Sequence, residues 1–302
     1  MDSHSEIREF LMTRRSRLTP EQVGLPDFGG RRRVEGLRRE EVALIAGISV
    51  EYYTRLERGN ATGVSEAVLD GISRALQLDE AEHAHLLDLV RAATASPGAA
   101  RRRSTSGTGQ IPPSVRQMID AMKDVAVLIQ NGRGDIVAAN SLGEALYSEM
   151  YAQTQRPPNF GRFVFLDPRS QHFYLDWDES ARQTVALLRS EAGRSPHDRA
   201  LSNLIGELST RSAAFRILWA SHNVREHRTG AKRVHHPLVG DITLSYEGLQ
   251  VTSTPGLLML PYTAEPGSAS HDKLQLLASL TATARRERVA REPANADPSA
   301  DD

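Results

Sequence analysis

The stretch Gly36 to Asn60, GLRREEVALIAGISVEYYTRLERGN, constrains the fold of this chain more than any other segment. Its pattern predicts two short helices, Arg38 to Ala46 and Val50 to Arg58, joined by a tight turn. Val42 and Ile45 face inward on the first, and the small Ala43 lets a second helix cross closely. Gly47 stands where a helix C-cap takes left-handed backbone. Ser49 caps the next helix, its hydroxyl accepting from exposed backbone N–H groups. Tyr53 and Leu56, three apart, anchor that helix to a core. Val50, Glu51, Tyr52 and Arg55 are left facing outward from its N-terminal half. In a helix-turn-helix, that half meets base edges in the major groove of double-stranded DNA. The bland alternative is an ordinary helical hairpin.

Charge supports the DNA reading locally rather than globally. The 302 residues carry a net charge of −1, yet Arg14 to Arg39 holds eight arginines (14, 15, 17, 31, 32, 33, 38 and 39) against Glu21, Asp27 and Glu35. Such a basic patch is the footprint expected where phosphates are contacted. Of 37 basic residues only Lys123, Lys232 and Lys273 are lysine. The absence of cysteine excludes disulfides and thiolate metal sites and fits a reducing, cytoplasmic setting. No apolar run approaches the roughly 18 residues that a membrane span needs, and the opening MDSHSEIREF does not read as a secretory signal.

At about 150 residues per domain, the length predicts two domains. Helices at Glu6 to Arg17, Glu66 to Leu76 and Asp79 to Ala92 complete an all-α unit over residues 1–92. A long connector, Leu18 to Gly36, separates its first two helices. Residues 93–113, rich in Ala, Ser, Thr, Gly and Pro, read as a flexible linker. The pattern then changes. DVAVLIQ (Asp124 to Gln130) is a buried strand, Asn131-Gly132-Arg133-Gly134 a hairpin turn, and Asp135 to Ala139 its partner. Asn140 caps a helix to Met150. Helical periodicity follows at Ala181, Val185 and Leu188, at Leu201, Leu204, Ile205 and Leu208, and over Ala213 to Asn223. Strands return at Lys232 to Pro237, Asp241 to Leu249 and Gly256 to Ala264, before a closing helix, Asp272 to Ala284. This predicts an α+β, PAS-like second domain with an antiparallel sheet over 114–284, and a disordered tail over 285–302.

The order Gly47, Ser49, Leu56-Glu57-Arg58-Gly59 resembles the Cro/repressor-type, or xenobiotic-response-element-type, helix-turn-helix family. The second half resembles the MmyB-like regulators in FLDP (Phe165 to Pro168), Asp176-Trp177, GELSTRSAAFRILWASHNV (Gly206 to Val224), HPLVGDITLSYE (His236 to Glu247) and YTAEPGS (Tyr262 to Ser268). That resemblance implies a homodimeric transcription regulator, a repressor on the simplest mechanism, which binds a palindromic operator. It also implies a PAS-like domain for a small apolar ligand, with fatty acids as precedent. Carried over residue by residue, it places Ser49, Val50, Glu51 and Arg55 at the bases or groove, joined by Tyr52 and Arg58, and sets Arg38 and Arg39 on phosphate. Glu57 would pair with Arg14 or Arg15. Pro157-Pro158 departs from a family loop that often carries an arginine beside Asn159.

A PAS-like pocket between sheet and covering helices would draw on Phe163, Phe165, Trp177, Phe215, Trp219, Tyr246 and Tyr262, each better suited to plain core packing than to ligand contact. Arg162, His222 and His236 are the candidate head-group partners; Asn140 fits a helix cap better. A metal site is not expected. His235 and His236 alternate faces of a strand, and His222 and His227 lack the i, i+4 spacing of ligands on one helical face. No cofactor or catalytic motif is found: neither G-x-S-x-G, G-x-G-x-x-G nor a P-loop occurs, so no enzyme is expected. The competing reading is a constitutive DNA-binding protein whose second domain only dimerises.

Overall fold

The computed structural model describes residues 3–25, 36–94, 111–221 and 229–291. The arginine run 31–33, most of the linker, His222, His227 and residues 292–302 lie outside them.

The N-terminal unit contains α1 (Ser3–Arg17), a short 3-10 turn (Glu21–Val23), α2 (Arg39–Ala46), α3 (Val50–Glu57), α4 (Glu66–Ala75) and α5 (Glu80–Thr94). The apolar positions read from periodicity form its core: Ile7, Phe10 and Leu11 meet Val42, Tyr53, Leu56, Leu69, Ile72, Leu86 and Leu89. Gly47 takes φ +69°, and its N–H turns back to the Ala43 and Leu44 carbonyls. The Ser49 hydroxyl accepts from the Tyr52 N–H at 3.1 Å, and Ser65 does the same for Val68 at 3.4 Å. Gly59 closes α3 with φ +93°; a β-carbon there would sit 2.3 Å from the His4 carbonyl oxygen. That closeness lets α1 pass against the end of α3.

The C-terminal unit opens on α6 (Pro113–Ala121), an element not foreseen from the sequence although Pro113 stands at its start and Ile119 is buried. Then come β1 (Ala126–Asn131), β2 (Ile136–Ala139), α7 (Ser141–Leu146), α8 (Ser148–Tyr151), α9 (Phe160–Leu166) and α10 (Ser170–Phe173). Next are α11 (Trp177–Arg194), α12 (Arg199–Arg211) and α13 (Ala213–Ala220), then β3 (Thr229–His236), β4 (Gly240–Glu247), β5 (Leu249–Gln250), β6 (Leu257–Thr263) and α14 (Ala269–Arg291). The six strands form one antiparallel sheet ordered β2-β1-β6-β4-β3, with β5 also on β6. This is the expected α+β architecture.

The strand β1 is apolar at successive positions because both its faces are covered. Ala126 and Leu128 join the core beneath α7, α9 and α14, whereas Val127 and Ile129 pack with Ile119 of α6 on the other face. β4 alternates instead: Ile242, Leu244 and Tyr246 are buried, and Thr243 and Ser245 are exposed. α11 to α13 build a third core around Val185, Leu188, Leu204, Leu208 and Phe215. The closing helix α14 continues to Arg291, past Ala284 where the apolar pattern stops. The continuation, RRERVAR, consists largely of good helix formers, which extend a helix without needing a buried face.

Candidate functional site

On the reading head, Arg38, Arg39, Ser49, Val50, Glu51, Arg55 and Arg58 are exposed and Tyr52 is half-buried. The Arg55 guanidinium lies over the Tyr52 ring, 5.0 Å from its centroid. Arg38 stands at the N-cap of α2, its backbone N–H donating to the Glu41 carboxylate at 2.6 Å. Leu44, 71% exposed, and Val50, 40% exposed, leave apolar surface on α2 and α3. The expected internal ion pair is present with Arg15, whose Nε donates to Glu57 Oε1 at 2.6 Å. Arg39 adds a second: its Nε donates to Glu57 Oε2, although its side chain is 44% exposed. Arg14 pairs instead with Glu82 at 3.1 Å, and burial lowers it to about 10.

In the C-terminal unit, a 540 Å³ cavity opens between β3 and the start of α11. Tyr174, Leu175, Trp177, Glu179, Lys232 and Arg233 are among its lining. Lys232 is half-buried. Its Nζ lies 5.3 Å from the Tyr174 ring centroid, 5.7 Å from that of Tyr246 and 5.8 Å from that of Phe160. Burial among these rings drives the amine down to about 8, against a weaker upward pull from Glu179. Deeper, Tyr147, Tyr174 and Tyr262 bring their hydroxyls together, and burial raises all three.

One helix connects this cavity to the reading head. The N-terminal turns of α11 line the cavity. Farther along, Arg189 is 1% exposed and donates to Glu6 of α1 at 3.1 Å and to the Trp219 carbonyl. Its guanidinium stacks 4.1 Å from the Trp219 ring centroid. Beyond it, Gly193 sits so close to His85 of α5 that a β-carbon would lie 2.8 Å from the imidazole. Arg17 completes the contact by donating to the Ser221 carbonyl at 2.5 Å.

A helix-turn-helix domain model matches residues 8–86, and the model of the MmyB-like transcription regulator ligand binding domain matches residues 111–277, more than half of the chain. The chain belongs to the MmyB-like transcription regulators. No curated protein matches it. Its two functional halves are therefore a DNA-binding head and a ligand-binding domain, and among the described residues no helix is long and apolar enough to cross a membrane.

The residues singled out for a pocket in this MmyB-like regulator are dispersed. Phe163 packs on Phe173 and Tyr174, and Tyr246 on Tyr262, inside the main core. Phe165 stands between Trp177 and Phe215, and Phe215 stacks on Trp219 with ring planes 18° apart. Arg162 is held by Glu207 at 2.9 Å. His236 is fully buried, with Nε2 3.0 Å from the Ala145 carbonyl and Nδ1 accepting from the Leu238 N–H. These partners fix a neutral imidazole with its proton on Nε2, and burial lowers its pKa. Asn140 caps α7 through Gly143 and also donates to the Met122 and Val125 carbonyls.

Among the described residues of that set, Trp177 alone lies on the cavity wall. Sequence reasoning passed over Lys232. A signal was available: the two-residue period of β3 puts Lys232 on the same face as the buried Val234 and His236.

The lysine gives a signed pH prediction. The unfolded chain holds its Lys232 proton up to about 10.5, whereas the folded domain releases it near 8. Between those values the unfolded state binds more protons, so stability rises with pH. Urea midpoints are expected to climb across that window for the native chain, and Lys232→Met is expected to flatten that rise.

Proposed function

We propose that this regulator is a repressor that binds a palindromic operator as a homodimer and responds to a small, largely apolar, fatty-acid-like ligand. The observation that carries the reading is α11. Its 18 residues, spanning about 27 Å at 1.5 Å per residue, line the cavity at one end and hold Glu6 and His85 of the head at the other. A ligand that shifts the start of α11 would move the head as a body. Two heads must dock in half-sites about 34 Å apart, so a shift of a few ångströms in each would spoil simultaneous binding.

Val50, Glu51 and Arg55 would read bases, with Ser49 and Tyr52 at the groove, whereas Arg38, Arg39 and Arg58 would set the head on phosphates. Arg39→Ala is expected to weaken specific and random duplexes alike, because phosphate contacts position without specifying. Substitutions at Val50 or Glu51 are expected to change base preference instead. Equal losses on both duplexes for all three would remove this division of labour. Leu276 and Leu280, one turn apart on α14 and both exposed, support the dimer. Leu276→Arg with Leu280→Arg is expected to sediment as a monomer and lose most operator affinity; a variant that stays dimeric places the interface elsewhere.

Operator footprinting with and without ligand tests sensing. Each methylene moved from water contributes about 0.8 kcal/mol, so affinity is expected to rise about fourfold per carbon along a saturated chain, read by calorimetry. No binding at any length would leave the second domain as a dimeriser alone.

A further inference from the structure

We propose that Lys232 captures an aldehyde reversibly as an imine, which makes the ligand of the cavity a neutral carbonyl compound. The chain contains only three lysines. Lys123 donates to the Asp120 carbonyl and Lys273 to the Asp241 carbonyl, the latter at 2.9 Å. Lys232 differs from both. Three aromatic rings surround its Nζ, it lines a cavity of 540 Å³, and among the described residues no hydrogen bond or ion pair reaches the nitrogen. The amine is thus both desolvated and open to a small molecule, the two conditions that activate a lysine as a nucleophile.

Its acidity agrees. With the group brought to about 8, roughly one molecule in ten carries the free amine at pH 7, against about one in three thousand for an ordinary lysine. The groups facing it are Tyr174, Tyr246 of β4 and Glu179 of α11, with Asp176, Asp178, Arg182 and Arg233 also around the cavity.

The reaction balances without a further reagent. The neutral amine adds to the carbonyl carbon, its two N–H protons pass to the carbonyl oxygen, and that oxygen leaves as water, giving the C=N bond. Arg182 is held by Glu179 at 3.0 Å and Arg233 by Asp176 at 2.9 Å, so both arginines of the lining are already engaged, whereas an imine needs no counter-charge. The assignment keeps the apolar chain of the ligand proposed above but replaces its carboxylate with a carbonyl, and only its regulatory consequence rests on that proposal.

The test treats the full chain with decanal and sodium cyanoborohydride at pH 7, which reduces an imine to a stable secondary amine, and maps the peptides by mass. Labelling of Lys232 is expected to be saturable and at least tenfold faster than that of Lys123 or Lys273, with the N-terminal amine mapped separately. In 8 M urea the three lysines are expected to react alike. Equal labelling of all three in the folded chain overturns the proposal. So does decanoate binding by calorimetry with no decanal adduct on Lys232. A Lys232 adduct that leaves operator affinity unchanged upholds the capture and removes the sensing reading instead.

Discussion

Glu57→Ala is expected to unfold the reading head. The carboxylate is 1% exposed and holds two guanidinium groups, those of Arg15 and Arg39. Arg15 also donates to the Leu37 carbonyl at 2.7 Å, so the same cluster ties α1 and the start of α2 to the end of α3. Removing one partner of a buried pair leaves an uncompensated charge and costs about 3–5 kcal/mol. That is a large part of the roughly 5–15 kcal/mol that holds a domain together. Thermal unfolding followed by circular dichroism is expected to show the helical head melting well below the second domain, with DNA binding lost at 37 °C. Glu57→Gln keeps one acceptor and is expected to fall between. Arg39→Ala leaves the Arg15 pair intact and is expected to cost far less stability, since Arg39 is largely solvated. A Glu57→Ala head with the native melting temperature would show that the ion pairs contribute nothing net.

That cluster also marks how far sequence reasoning reaches. Helices α1 to α5 were legible from their apolar stripes, and α3, α4 and α5 also from the caps Ser49, Ser65 and Asp79. Ser49 and Ser65 both accept the N–H three residues on, as a cap should. Glu57 was legible as an internal partner, but its second arginine was not. Only tertiary packing brings Arg39, in the first turn of α2, against the end of α3. In the second domain the strands and their hairpin follow from local pattern. The cavity does not, because its walls come from Gln171 to Gln183 and Ala231 to Arg233, some fifty residues apart in the chain. Large aromatic residues were a poor guide to it. Phe163 and Tyr262 fill the core, while the cavity takes its chemistry from a lysine on the inward face of an edge strand. The contact between domains was equally illegible, since Arg189 occupies an ordinary helical position and only the fold presents Glu6 and Trp219 to it.

Arg189→Met is expected to uncouple the two domains while leaving each one folded. Methionine keeps an apolar chain against the Trp219 ring but removes the charge that faces Glu6. Glu6 is itself mostly buried, and burial raises its pKa, with Arg189 acting in the opposite direction. Without the guanidinium, an ionised Glu6 would be desolvated without its ion-pair partner, so docking of α1 against α11 weakens by about 3–5 kcal/mol.

The sign with pH follows. A carboxyl whose docked pKa lies above its free value favours docking at low pH and opposes it as pH rises through the docked value. Loss of Arg189 raises the docked value further, so the variant interface is expected to recover on acidification and to be weakest at neutral pH. Hydrogen exchange on α5 and the second half of α11, compared with the native chain at the same pH, is expected to be faster at neutral pH and to approach the native rate on acidification. Ligand response should fall with docking while operator affinity without ligand is retained. Adding Glu6→Gln removes the stranded charge and is expected to restore much of the docking. If the single variant exchanges like the native chain at pH 7, the ion pair does not hold the head, and coupling through α11 must come from the close packing of Gly193 on His85 alone.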